Sequence, residues 1–222
     1  MKLPSFTTPA SAAEARAIQD ALRPQLRIRD EFEKLDLIAG VDVGYDIARN
    51  LAHASIVTMH ADELKPIEQV RAYVPAEFPY VPGLLAFREI PAILAALAKL
   101  QSTPDVLMVD GHGIAHPKRM GIAAHLGLIC DMPSLGVGKS RLTGKFEMPG
   151  SDKGDVTKLM AGKECIGMVL RSRDNVAPLF ISPGHRMSMA SALALAQRCL
   201  RKHRLPEPTR IADKFSKCTD RA

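Results

Sequence analysis

The sequence predicts an α/β fold in which a mixed β-sheet opens with three antiparallel strands and is flanked by helices. Two observations predict it. Three apolar runs joined by short, turn-rich links occupy Leu37 to Val74. From Leu84 onward, helical and strand patterns alternate. The chain has 222 residues, 46% of them apolar, which suffices for a sizeable core and leads us to expect one domain over residues 1–222.

Each element has its own signal. Ser11 and Glu14 form a capping box ahead of Ile18 and Leu22, predicting a helix from Ser11 to Arg23 that stops at Pro24. Leu37–Val43, Leu51–Met59 and Ile67–Val74 read as strands of a meander, with Gly44–Asn50 as a hairpin loop. Phe78–Gly83 contains two prolines and a glycine and predicts a rigid loop. Leu84–Leu100 is helical, interrupted or kinked at Pro91. Asp105–Asp110 and Ser134–Gly138 are short buried strands on either side of a helix over Gly121–Cys130. Phe146–Lys163 is polar and reads as a surface excursion. Cys165–Arg171 and Pro178–Ser182 predict a final hairpin, followed by a helix over Ser188–Leu200 and a basic C-terminal segment. There is no internal repeat or low-complexity tract. This order is the RNase H-like arrangement, although other α/β folds produce a similar list.

The net charge of +6 and a pI near 9.3 suit an acidic partner such as nucleic acid, or solubility alone. Cys130, Cys165, Cys199 and Cys218 form no Cys-x-x-Cys pair and no zinc spacing, so they read as reduced thiols. The segment MKLPSFTTPA lacks the apolar stretch of a signal peptide, and no run is long enough to span a membrane. The expectation is a cytoplasmic monomer that does not associate with membranes.

Acidic residues carry the chemistry. Asp42 sits inside the apolar strand Leu37–Val43, where a charge needs a cation or hydrogen bonds. Asp110 closes the strand Asp105–Asp110, and strand ends face ligand crevices in α/β sheets. Taken singly, Asp110–Gly111 reads as a turn and Asp42 as a backbone cap. Together, neighbouring carboxylates repel unless a cation neutralises them, and magnesium favours a few hard oxygen ligands. Glu89 on the following helix is the third candidate, with an exposed salt bridge as its plainer reading. Asp213, on a late helix that folds back over the sheet in this reading, is the fourth, and is uninformative by itself.

Longer stretches are more specific. Ala39–Val43, Pro79–Glu89, Val109–Pro117, Gly136–Leu142, Ser182–His185 and Leu205–Arg210 occur in that order, and the set resembles the endonuclease V (deoxyinosine 3′-endonuclease) family over roughly Leu35 to Ala212. The resemblance implies an RNase H-like fold and Mg2+-dependent hydrolysis, with Mn2+ as a substitute. It also implies cleavage of DNA at the second phosphodiester bond 3′ to deoxyinosine, leaving 3′-hydroxyl and 5′-phosphate ends. It makes Asp42, Glu89 and Asp110 the metal-site carboxylates and places the last acidic position on Asp213. If two ions bind, they should lie roughly 4 Å apart, with Asp42 as the bridge, Asp110 on one side and Glu89 acting through water; one-metal chemistry is equally open.

The remaining candidates follow from residue chemistry. Lys139 suits a phosphate contact as a point charge, or is a solvated surface lysine. Gly138–Ser140 does not make a Walker A loop, because Pro133 stands where that loop needs glycine. His116 suits a phosphate or water contact, or a structural role; His185 is similar and His112 weaker. Tyr80, held between Pro79 and Pro82, suits a wedge that unstacks bases, or a tyrosine packed on the domain. Amides near Gly83 and Gly111, with Leu85 as an apolar wall, suit a pocket for the 6-oxygen of hypoxanthine. Arg198, Arg201, Lys202, Arg204 and Arg210 suit phosphate binding or a solvated face. Competing readings are a metal nuclease for inosine-containing RNA or branched DNA, a catalytically silent inosine-binding protein, and an acyl-transfer enzyme using Ser182 and His185, which lacks a Gly-x-Ser-x-Gly elbow.

Overall fold

The structure, a computed structural model, describes residues 3–218. Eight strands form one sheet: β1 (Leu37–Asp46), β2 (Leu51–His60), β3 (Pro66–Pro75), β4 (Val106–Asp110), β5 (Ser134–Gly138), β6 (Val156–Ala161), β7 (Glu164–Leu170) and β8 (Leu179–Pro183). Their order is β3-β2-β1-β4-β5-β8-β7-β6. β1, β4 and β5 run parallel to one another, and every other neighbouring pair is antiparallel. This is the mixed, RNase H-like sheet that the sequence predicts.

Alternation along the strands separates two cores. Ala39, Val41, Leu107 and Val109 face helices α2 (Leu85–Leu97) and α3 (Ile122–Ile129). Ile38, Val106, Met108, Leu135 and Val137 face α4 (Met189–Arg198) and α5 (Glu207–Lys217). Side chains alternate between faces with a period of two, so Asp42 and Asp110 share the second face with Ile38 and Met108. The β1–β4 ladder pairs Val41 with Val109; one residue further along, Asp42 and Asp110 stand side by side.

Helix α1 (Ala12–Leu22) keeps half of its capping box: the Ser11 hydroxyl accepts the Glu14 N–H at 3.1 Å, while the Glu14 carboxylate reaches one residue past the N-cap and accepts the Ala10 N–H at 2.7 Å. Ser188 caps α4 in the same way, accepting the Ser191 N–H at 3.1 Å.

Three expectations are corrected. β1 runs to Asp46 and the turn occupies 47–50, because Gly44 is a strand residue whose missing side chain leaves room for the ring of His53 opposite. The polar stretch Phe146–Lys163 is not only a surface excursion but contains β6, an edge strand that buries little more than Leu159. Of the two alternatives at Pro91, interruption is the one corrected: α2 is continuous from Leu85 to Leu97, since Ile90, Ala92, Ile93 and Leu94 bury on the first core and outweigh one lost backbone hydrogen bond.

α5 crosses β1 at Gly40, where a β-carbon would lie 2.1 Å from the Pro208 carbonyl oxygen. This close approach brings the helix low over the sheet and carries Asp213 and Ser216 to the acidic strand ends. Gly40→Ala is therefore expected to lower stability by about 1–3 kcal/mol through overpacking and to lower metal affinity with it. Denaturant unfolding and metal titration check both effects.

Candidate active site

Oxygen atoms of Asp42, Asp110 and Asp213 all lie within 4.8 Å of one another, from β1, β4 and α5 respectively. Asp42 is 9% exposed. Its Oδ2 accepts the Ser216 hydroxyl at 2.5 Å, and the same hydroxyl oxygen lies 3.1 Å from the Asp213 carbonyl, so its one proton is shared unequally between the two acceptors. The Lys139 ammonium, just beyond β5, pairs with Asp110 and, at 2.7 Å, with Asp213. Lys217 holds the other oxygen of Asp213 at 2.7 Å. Glu89 approaches from α2, on the other face of the sheet; it is 7% exposed and accepts the Tyr45 hydroxyl at 3.0 Å. The sequence expectation grouped Glu89 with Asp42 and Asp110. The structure gathers Asp213 with those two and sets Glu89 apart, in the same cleft.

The electrostatics follow from this crowding. Burial pushes the Asp42 carboxyl up to about 7, and Asp110 adds to the shift against the opposing Ser216 hydrogen bond and Lys139 charge. Burial likewise pushes Glu89 up to about 8, with Asp42 and Asp110 adding to it against the hydrogen bond from Tyr45. Burial works against charge on Lys139, yet hydrogen bonds to Asp110 and Asp213 raise it to about 12. Burial opposes ionisation of Asp213, but Lys139 and Lys217 hold its carboxyl below the usual range. Two carboxyls that resist ionisation beside two more carboxylates form a site short of positive charge. Clustered hard oxygens of this kind suit a divalent cation.

Asp42, Glu89, Asp110 and Lys139 line a cleft of about 420 Å³. Tyr80, Pro82, Gly83, Leu85, Gly111, His116 and Ile122 line the same cleft. Tyr80 is 71% exposed and Pro79 and Pro82 flank it, also exposed. Gly83 has φ +81° and Gly111 φ +148°. Arg88 braces the start of this loop, donating to the Phe78 carbonyl at 2.5 Å with its guanidinium 5.0 Å from the Tyr45 ring centre.

Several expected contacts are corrected. His116 has both ring nitrogens engaged: Nδ1 accepts the Lys118 N–H at 3.1 Å, so Nε2 carries the proton and donates to the Gly83 carbonyl at 3.0 Å. Burial holds this imidazole down to about 4, so it is neutral and neither nitrogen is left for a phosphate. His185 lies outside the cleft, buried against Arg27 at 3.1 Å and Asp131 at 3.4 Å. The Ser182 hydroxyl accepts the Gly113 N–H at 2.9 Å and is fully buried, which leaves no serine–histidine pair for acyl transfer. His112 lines the cleft and its Nε2 meets the Ser140 carbonyl at 3.0 Å. Arg204 is spent on the carbonyls of Ala177, Pro178 and Lys139, and Arg210 on Glu207. Of the basic set only Arg198, Arg201 and Lys202 are exposed.

Sequence reasoning missed Tyr45 and Ser216. Tyr45 lay beyond the strand end assigned at Val43; with β1 extended to Asp46, it falls on the face of Val43, toward α2. Ser216 is one helical turn after Asp213, a spacing that has meaning only once Asp213 is known to face Asp42.

An RNase H-like sheet with carboxylates from two adjacent parallel strands and a crossing helix, opening on a cleft, defines a metal-dependent nuclease. The chain matches the model of the Endonuclease V family over residues 20–214. It is 48% identical over 211 residues to Endonuclease V of Nostoc punctiforme, covering 95% of this chain and 96% of that one. The crystal structure of Endonuclease V from Streptomyces avermitilis superposes with a TM-score of 0.90 at 40% identity, covering 95% of this chain and 93% of that chain. A further match, at TM-score 0.81 and 29% identity over 92% of this chain and 95% of that one, is Endonuclease V of Ciona intestinalis in complex with DNA containing an inosine followed by a ribo-adenosine. The chain belongs to the Endonuclease V family.

The buried carboxyls set a pH dependence. Between pH 4.5 and about 8, the folded metal-free protein keeps a proton on Glu89 that the unfolded chain has released, so stability falls as pH rises through this window. Asp42 contributes in the same direction up to about pH 7. Glu89→Gln keeps an acceptor for Tyr45 and removes the charge. It should flatten the decline and raise the melting temperature at pH 8 by at least about 2 °C, the shift that roughly 1 kcal/mol produces in a domain of this size. Thermal melts in chelator at pH 5 and pH 8 read this.

Proposed function

We propose that this protein recognises deoxyinosine in DNA and hydrolyses the second phosphodiester bond on its 3′ side, leaving 3′-hydroxyl and 5′-phosphate ends. The observation that carries this reading is the continuity of the cleft: Asp42 and Asp110 of the acidic cluster, with Glu89, share one cavity with apolar and glycine residues and an exposed tyrosine. Family membership and the inosine-containing complexes of the Ciona relative support it. One domain spanning the chain does this work. The four free cysteines support a cytoplasmic setting.

Asp42, Asp110 and Asp213 would hold Mg2+, with Mn2+ as a substitute, and Glu89 borders the site. When bound, the ion lowers the pKa of water and neutralises phosphate charge. The chain's own groups do the rest. Ser216 fixes the orientation of Asp42. Lys139 places a positive charge where the scissile or adjacent phosphate lies. Tyr80, stiffened by Pro79 and Pro82, enters the base stack and offsets the unstacking that extrusion of a nucleotide demands. The extruded base enters beside Leu85, Gly83 and Gly111; the Gly111 N–H is already spent on the Val137 carbonyl at 3.2 Å, so the backbone near Gly83 supplies the donor that favours a 6-oxygen over a 6-amino group. Arg198, Arg201 and Lys202 are exposed and meet the phosphate backbone, Arg201 while one of its guanidinium nitrogens donates to the Arg198 and Leu200 carbonyls.

A duplex carrying one deoxyinosine should be cut with Mg2+ and left intact in chelator, with the cut mapped two bonds 3′ of the lesion. Asp42→Asn and Asp110→Asn should each lower the rate by more than about 100-fold, whereas Ser216→Ala should fall within the roughly 10–100-fold range of residues that only support a metal ligand. Equal cutting of undamaged duplex, or Asp42→Asn at wild-type rate, contradicts the reading. The same assay with inosine in RNA, and with branched DNA, ranks the alternative substrates. Replacing Arg201 and Lys202 with alanine should weaken duplex binding and make it less sensitive to salt, read from affinities at 50 and 200 mM salt.

A further inference from the structure

Helix α1 buries two residues, Ala15 and Gln19, which lie four apart and so share a face. Ala15 packs in a small cluster with Phe78, Leu84 and Phe87, residues that bracket the loop carrying Tyr80. Gln19 is a polar side chain only 1% exposed. Its Nε2 donates to the Gly83 carbonyl at 2.9 Å and to the Met120 carbonyl at 3.3 Å. Both of those residues line the cleft, one on the Tyr80 loop and the other on the loop that follows β4. A second tie runs in parallel: Asp20 pairs with Lys118 at 2.8 Å.

The amide oxygen of Gln19 has no hydrogen-bond partner among the described residues. A buried amide that is half satisfied is a poor choice for stability; an apolar side chain of the same length fills the space without a stranded acceptor. Its two donated bonds, by contrast, join the two walls of the cleft. The Gly83 carbonyl also takes the His116 Nε2–H, so this one oxygen is fixed from α1 and from the β4 side together.

We propose that Gln19 is a positioning residue for base recognition: by tying Gly83 to Met120 it sets the width of the cleft that receives the purine and its 6-oxygen. The proposal rests on the reading of that cleft as the base pocket. The Gln19 amide bonds to Gly83 and Met120 and to none of Asp42, Asp110 and Asp213, so its effect falls on binding and discrimination and not on the hydrolytic step.

Gln19→Met tests this, because methionine matches the length and removes both the donors and the stranded acceptor. Hydrogen exchange of the free protein should be at least tenfold faster at the amides of Leu84 and Phe87, which bond to the Val81 and Leu84 carbonyls. The melting temperature should stay level or rise. With a single-inosine oligonucleotide, KM should rise at least fivefold and the preference for inosine over adenosine should fall at least fivefold, with kcat within twofold. Wild-type exchange at Leu84 and Phe87 overturns the tie. Faster exchange with unchanged KM and preference overturns its part in recognition. A fall in melting temperature with exchange raised across the whole sheet assigns Gln19 to core packing and also overturns the proposal. If wild-type protein ignores inosine, the proposed function fails instead, while exchange and melting still decide whether the tie exists.

Discussion

Two like charges stand on neighbouring strands of a nearly dry sheet, and much of the structure around the cleft answers that conflict. Parallel register places Asp42 beside Asp110, one step beyond the Val41–Val109 pair. Apolar walls deny both the solvent that would separate their charges. The surroundings supply partial remedies: a hydroxyl from Ser216, an ammonium from Lys139, and the paired lysines that keep Asp213 ionised. These remedies leave Asp42 and Glu89 reluctant to ionise near neutral pH. A divalent cation resolves the conflict more completely than any of them, because it faces several oxygens at once.

The fold brings the acidic groups and the groups proposed to recognise the base into one cleft by separate means. α5 reaches the acids because Gly40 lets it lie directly on β1. α2 brings Glu89 from the opposite face, and its first turn carries Leu85 into the same cavity. The Tyr80 loop belongs to neither layer. It is held by Arg88 from below, by His116 from the β4 loop and by Gln19 from α1. The proposed wedge role would draw on such bracing, since each added constraint removes freedom that would otherwise be lost on binding.

The sequence revealed most where one residue type answers one local demand. Asp42 was legible because a carboxylate inside an apolar strand has few explanations, and Asp110 because it ends a strand before glycine. The strand meander and the capped helices were legible from period and caps. Long-range facts were not. Asp213 enters the cluster only because a distant glycine admits its helix. Gly44 read as a turn because its reason, the ring of His53, lies on another strand. β6 read as loop because an edge strand with one exposed side carries polar residues. His116 and Arg204 looked free for phosphate, yet both are committed to backbone carbonyls that sequence order does not reveal.

The central claim is that Asp42, Asp110 and Asp213 share one hard cation. Crystals of the protein soaked in Mn2+, with anomalous scattering collected at the manganese edge, test it most directly. The account predicts a peak in direct coordination of Asp42 and Asp110, with Lys139 turned away from Asp110. A map with no peak there, and Lys139 still seated between Asp110 and Asp213, contradicts it.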